Sequence, residues 1–234
     1  MPKADRLSVK PNYESKPWLA NYSIDETSRL EPAYASTLGF FRRSCAQSPH
    51  APCLIYFDAV YSYQQVDDMS DALAVALAEN DVTRGDRVAL MMQNVPQFVI
   101  AQLAAWKLGA SYVPLSPMFK QSEVAYHLED SGAATLVVEE ALYRREVEPI
   151  RGSTPLRLVI TTADDDMLSP SHQPPSWLAG LERYRGAGTE DLMSLIDRYQ
   201  SRKPPLHEPD GSDLAILSYT SGTTGRYLSS QVRQ

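Results

Sequence analysis

Six consecutive residues, Thr220-Ser221-Gly222-Thr223-Thr224-Gly225, have the types and spacing to do chemistry. Thr220, Ser221, Thr223 and Thr224 offer hydroxyl donors. Gly222 and Gly225 let backbone N–H groups turn inward, and successive inward N–H groups form an anion-binding nest. Such a loop suits a triphosphate. It is not a Walker loop, because its two glycines are too close together and no Gly-Lys-Ser/Thr follows. On composition alone a Ser/Thr/Gly loop also reads as a solvent turn. An apolar run, Leu214-Ala-Ile-Leu-Ser-Tyr219, precedes the loop and reads as the strand that presents it.

The other candidates have plainer readings. Asp164-Asp165-Asp166 is three adjacent carboxylates without a matching ligand pattern, and reads as a solvated loop rather than a metal site. His50, His127, His172 and His207 show no helical metal spacing, and no serine elbow accompanies them. His127 falls on a helix with Val124 and Leu128 and reads as a packed or half-exposed histidine. Cys45 and Cys53 give neither a metal spacing nor a disulfide framework, so they read as small buried or half-buried thiols. Met91-Met92 and the stretch from Phe98 to Trp106 read as core.

The elements that must position the loop follow from local signals. A helix is expected from Ser36 to Cys45, with Leu38, Phe40 and Phe41 on its apolar face. Leu54–Phe57 and Val60-Tyr61 form a hairpin around Asp58-Ala59. Ser62 and Gln65 fit a capping box, and Val66, Met69, Leu73, Ala76 and Leu77 continue at helical spacing. Arg84-Gly85-Asp86 turns the chain into a strand from Arg87 to Met92. Pro96 suits the first turn of a helix running to Leu108, where Gly109 ends it and Lys107 complements the helix dipole. Ser111–Leu115 is a strand, Ser122–Asp130 a helix stopped at Ser131-Gly132, and Ala134–Val138 a strand. Residues 139–149 are expected to be helical, and Leu156–Thr161 is a strand. Residues 163–188 form a long polar loop, followed by a helix with Leu192, Leu195, Ile196 and Tyr199. Strands alternating with helices imply a mostly parallel, doubly wound sheet, an α/β fold. Ligands of such sheets sit beyond the carboxyl ends of the strands, which is where the loop after Tyr219 falls.

Composition narrows the class. The chain is 43% hydrophobic and 22% charged, ordinary for a globular protein. Its net charge of −7, without a concentrated basic face, disfavours nucleic-acid binding. The stretch from Phe98 to Leu108 is too short for a transmembrane helix, and no apolar signal region follows Met1–Val9, so a cytoplasmic protein is expected. Residues 1–35, with Pro2, Pro11, Pro17 and Pro32 among charges, read as an extended arm. Arg226–Gln234 shows no convincing periodicity and reads as an unrelated tail.

Tyr219-Thr-Ser-Gly-Thr-Thr-Gly225 resembles the phosphate-loop signature of the AMP-forming, adenylate-forming ligases, among them the acyl-CoA synthetases. Other blocks are similar to the family in order and spacing. They are Tyr61-Ser-Tyr-Gln-Gln65, Gly85-Asp-Arg-Val-Ala-Leu90 with Asn94 and Pro96, Gly109-Ala110 to Val113-Pro114-Leu115, and Glu123 to Gly132. Lys16-Pro-Trp18 is similar to the long-chain fatty-acid CoA ligases.

The resemblance implies the N-terminal part of the adenylate-forming ligase fold: an incomplete AMP-binding domain over residues 36–225, a truncated version of the family's domain. It implies ATP with Mg²⁺, coenzyme A as co-substrate, and a small carboxylate, a fatty acid, as substrate. On it, Thr220, Ser221, Gly222, Thr223, Thr224 and Gly225 hold the β- and γ-phosphates. The family's signature continues Gly-x-Pro-Lys-Gly, whereas this chain has Tyr227, Leu228 and Ser229 at the proline, lysine and second glycine positions. Leu228 supplies no charge to a polyphosphate. The family's aromatic-Thr-Glu motif, ribose-binding aspartate and adenylation lysine have no counterpart among the 234 residues. These departures imply a piece of a ligase that is inactive alone; a non-catalytic remnant or a nucleotide-binding module is the alternative. The last strand is expected to leave an edge uncovered and to drive self-association.

Overall fold

Capping chemistry sets the first helices. In the computed structural model, Ser36 Oγ accepts from the Gly39 amide at 2.9 Å and starts α1 (Thr37–Gln47). The structure describes residues 36–171, 183–205, 207–209, 211–220 and 228–233; the arm at 1–35, with Lys16-Pro-Trp18, lies outside them. Leu38 is buried and Phe41 packs on the core, but Phe40 is 52% exposed and so is not part of the apolar face. Strands β1 (Pro52–Tyr56) and β2 (Ala59–Ser62) pair antiparallel in a separate two-stranded sheet. Tyr56 faces Ala59, so the turn is Phe57-Asp58, one residue earlier than expected, with Phe57 at φ 53°. The capping box forms as predicted: Ser62 Oγ accepts from the Gln65 amide and Gln65 Oε1 accepts from the Ser62 amide. It launches α2 (Tyr63–Glu79).

The remaining elements build one seven-stranded sheet. They are β3 (Arg87–Met91), α3 (Pro96–Lys107), β4 (Ser111–Pro114), α4 (Gln121–Ser131), β5 (Thr135–Glu139), β6 (Leu158–Thr162), β7 (Glu190–Asp191), α6 (Leu192–Arg198), β8 (Leu214–Thr220) and β9 (Leu228–Arg233), with α5 (Glu140–Leu142) between β5 and β6. From α5 the helical passage continues as a π turn over Tyr143–Val147 and a 3-10 turn over Glu148–Ser153. Pro149 has no N–H to offer the preceding turn, which accounts for the change of winding where a regular helix was expected. Strand order is β7-β6-β5-β3-β4-β8-β9, parallel throughout except for β9, which runs antiparallel to β8.

Side chains alternate between two apolar layers, as the period of a strand requires. Val88, Leu90, Val137, Ile160 and Ala215 face α2, α3 and α6. Ala89, Met91, Leu136, Val138, Val159 and Leu217 face α4 and the passage after β5. Burial on both faces explains the unbroken apolar runs of β3 and β5. β4 lies on one side of β3 and β5 on the other, so the chain runs on from β3 and from β5 in opposite directions, and the switch point lies between their carboxyl ends. That is where ligands of open α/β sheets bind.

Two polar clusters go beyond the sequence reading. Lys107 lies in the last turn of α3, as expected, but is not solvated. It is 2% exposed, and its Nζ lies 2.7 Å from both Asp67 Oδ1 and Asp71 Oδ1 and 2.8 Å from Ser70 Oγ on α2. Nor is Asp164-Asp-Asp166 a solvated loop. Asp166 Oδ2 accepts from Thr162 Oγ1 and the Ala163 amide, and Oδ1 accepts from Arg183 at 2.6 Å. Tyr56 and Tyr61 of the hairpin donate to the carbonyls of Asp164 and Met167.

Candidate functional site

β8 sits beside β4, with Ile216 in register with Tyr112. Ala215 and Leu217 are buried on opposite faces, and Trp106 Nε1 of α3 donates to the Ala215 carbonyl at 2.9 Å. This anchoring holds β8 in the sheet with β4 between it and β3, and leaves Thr220 exposed at its carboxyl end as its last residue. Thr220 therefore stands where the sequence placed the start of the anion-binding loop. Ser221, Gly222, Thr223, Thr224 and Gly225 lie outside the described residues. On the other side, β9 returns antiparallel and pairs Thr220 with Leu228. The tail that showed no periodicity thus contributes a strand, because strand pairing needs backbone groups and an extended chain rather than an amphipathic pattern. It also pairs the edge of β8 that was expected to be uncovered, so on this side the sheet ends at β9, with β7 at the other end.

Tyr219, the residue before Thr220, is held at its hydroxyl and at its ring. Its hydroxyl donates to Asp130 Oδ2 at 2.7 Å. The His127 ring meets its ring edge-on, centroids 4.4 Å apart, and Phe119 stacks on His127 at 4.5 Å. His127 is fully buried, with Nδ1 2.6 Å from the Glu123 carbonyl, and so takes the packed of the two positions expected for it. Burial and the Asp130 carboxylate hold the Tyr219 phenol well above its ordinary range, so it stays a donor. Phe119 comes from the segment after β4, His127 and Asp130 from α4. No spacing rule joins residues 89 apart, so Asp130 and His127 went unassigned as partners of the loop.

A second cleft of about 430 Å³ opens at the carboxyl ends of β5 and β6, lined by Glu139, Glu140, Arg144, Arg145, Arg183 and Tyr184. Its floor is an ion cluster in which Arg183 binds the buried carboxylates of Glu140 and Asp166. Burial, with Asp164 nearby, pushes the Glu139 carboxyl up. Among the described residues no group of three or more His, Cys, Asp or Glu could hold a metal ion, and no helix is long and apolar enough to cross a membrane.

A doubly wound α/β sheet with a hydroxyl- and glycine-rich sequence at the carboxyl end of one strand defines a class of fold whose ligands bind at that edge. The chain matches the family of AMP-binding enzymes over residues 41–227, and it belongs to that family. It is 28% identical over 235 residues to a long-chain-fatty-acid–CoA ligase of Escherichia coli, an alignment that covers 90% of this chain and 39% of the relative. To the enzyme of that name from Haemophilus influenzae it is 30% identical over 220 residues, again covering 90% and 39%. The chain thus spans about two fifths of the length of these curated relatives. Among solved structures, a long-chain-fatty-acid-CoA ligase from Archaeoglobus fulgidus superposes with a TM-score of 0.70 at 22% identity, covering 91% of this chain and 39% of the other. An anthranilate CoA ligase in complex with anthranoyl-AMP gives 0.71 at 21%, covering 86% and 35%. At those identities the superpositions establish the shared fold, the N-terminal domain of adenylate-forming ligases.

Proposed function

We propose that this chain is the nucleotide-binding N-terminal piece of an ATP-dependent, AMP-forming carboxylate–CoA ligase acting on fatty acids in the cytoplasm. The carboxylate attacks the α-phosphate of Mg·ATP, pyrophosphate leaves, and the thiol of coenzyme A then displaces AMP from the acyl-adenylate. In this reading the hydroxyls of Thr220, Ser221, Thr223 and Thr224 and the amides of Gly222 and Gly225 hold the β- and γ-phosphates. They orient the leaving pyrophosphate and offset its charge. The observation that carries the reading is the position of Thr220 at the carboxyl end of β8, the edge at which ligands of open α/β sheets bind.

The 234 residues alone are inactive in this proposal. Leu228 stands where the family's loop has lysine, and the chain spans 39% of its curated relatives. The test is carboxylate-dependent exchange between ATP and pyrophosphate. No exchange above background is expected from the isolated chain, with weak Mg·ATP binding at a Kd of about 1 mM, near −4 kcal/mol. Clear exchange overturns the inactivity; no binding at 10 mM nucleotide overturns the phosphate site. The pairing of β9 with β8 favours a second reading, a non-catalytic nucleotide-binding module, because it gives β8 a partner on its outer side within this chain. That reading expects tight binding without exchange.

A further inference from the structure

We infer that Asp130 and His127 of α4 are positioning residues for Thr220, acting through Tyr219; this rests on the reading of the loop after β8 as a phosphate site. A loop of hydroxyls and glycines has many backbone states, and it binds a polyphosphate well only if few of them remain to be lost. The described structure fixes the residue from which that loop departs. Tyr219 is tethered at its hydroxyl by Asp130 at 2.7 Å and at its ring by His127 at 4.4 Å. His127 is in turn sandwiched against Phe119, which follows β4. The tether therefore ties together three segments: the chain after β4, α4, and the end of β8. None of these side chains needs to touch nucleotide. Their effect is to set the direction in which Thr220 leaves the sheet.

Asp130 is exposed, so replacing it leaves the core untouched. In the full 234-residue chain, Asp130→Ala is expected to raise the Kd for Mg·ATP about 5–10-fold, the worth of one ordinary hydrogen bond. It also speeds amide hydrogen exchange in a peptide spanning residues 214–227 while exchange in α3 stays unchanged. Asp130→Asn keeps an acceptor oxygen and restores most of both. Tyr219→Phe matches Asp130→Ala, and the double variant adds nothing further. The melting temperature moves by no more than about 2 °C. Wild-type affinity and exchange in Asp130→Ala overturn the inference, as does faster exchange everywhere with a lowered melting temperature, which marks a merely structural role. If the wild-type chain binds no nucleotide, the phosphate reading fails on its own. Exchange then decides the tether: acceleration confined to residues 214–227 upholds it, and its absence overturns it.

Discussion

Replacing Lys107 by methionine tests whether the buried charge cluster between α2 and α3 works as its geometry implies. The Nζ of Lys107 satisfies Asp67 Oδ1, Asp71 Oδ1, Ser70 Oγ and the Asp67 carbonyl, all within 2.9 Å. Methionine fills most of the same volume but leaves those acceptors without their shared cation. Stripping one partner from a buried ion pair costs about 3–5 kcal/mol. Here the cost belongs at the lower end for two reasons. Asp71, 9% exposed, keeps Lys203 at 2.5 Å, and Asp67, 24% exposed, is open to water. The expected loss is about 3 kcal/mol, which at an m-value of about 2 kcal/mol/M lowers the urea midpoint by about 1.5 M without changing the slope. Asp71→Leu should cost less, about 1–2 kcal/mol, because Lys107 retains Asp67 and Ser70. The double variant should fall well short of the sum, since it removes the stranded charge together with its partner. A loss below about 1 kcal/mol for Lys107→Met, or strict additivity in the double, would mean that water already reaches the cluster and that the charges are not held in a dry interface.

Two further outcomes follow from groups near the surface. Burial, with Asp67 adding to it, raises the Cys45 thiol from 9.0 to about 11, and burial beside Asp164 and Asp165 raises the Tyr56 phenol from 10.0 to about 12. The folded state holds these protons more tightly than the unfolded chain, so their contribution is complete below pH 9 and is lost as pH rises through 11 and 12. Melting temperature should fall over that window, and Cys45→Ser should flatten its lower part; a curve level to pH 11 would show that neither group is held in this way. Separately, β9 is the edge of the sheet and Val232 on it is 48% exposed, so the chain should self-associate with rising concentration in light scattering. Val232→Lys should suppress the association; a monodisperse monomer at all concentrations in the wild type would remove edge pairing as its basis.

What the sequence revealed depended on whether a signal was local. The Ser62–Gln65 capping box, Pro96 at the first turn of α3 and positive φ at Gly109 and Gly132 are each settled by residues within one turn, and each was readable. The apolar runs Val88–Met91 of β3 and Leu136–Val138 of β5 were equally plain, because burial on both faces favours apolar side chains. The partners of charged residues were hidden for the opposite reason. A lysine at a helix end looks the same whether it meets water or two aspartates some 40 positions earlier, and Asp166 looks solvated until Arg183 is brought to it. The strand β9 was invisible because pairing with β8 uses backbone groups, which the side-chain pattern does not advertise. At the candidate site, the hydroxyls and glycines were legible as a group, whereas the partners of Tyr219 come from elements that only the sheet order brings together.

That sheet order also fixes a schedule. β4 pairs with β3 almost at once, but its other neighbour is β8, and the partners Tyr112 and Ile216 are 216 − 112 = 104 residues apart. At a synthesis rate of about 5–20 residues per second, the free side of β4 waits roughly 5–20 s on the ribosome before its neighbour emerges. Throughout that interval a buried-type strand of the half-made sheet presents unpaired amides and carbonyls to its surroundings. Chain assembly is therefore limited by the arrival of the very segment that ends at Thr220, and the nascent protein needs shelter at β4 for as long as that segment is unmade.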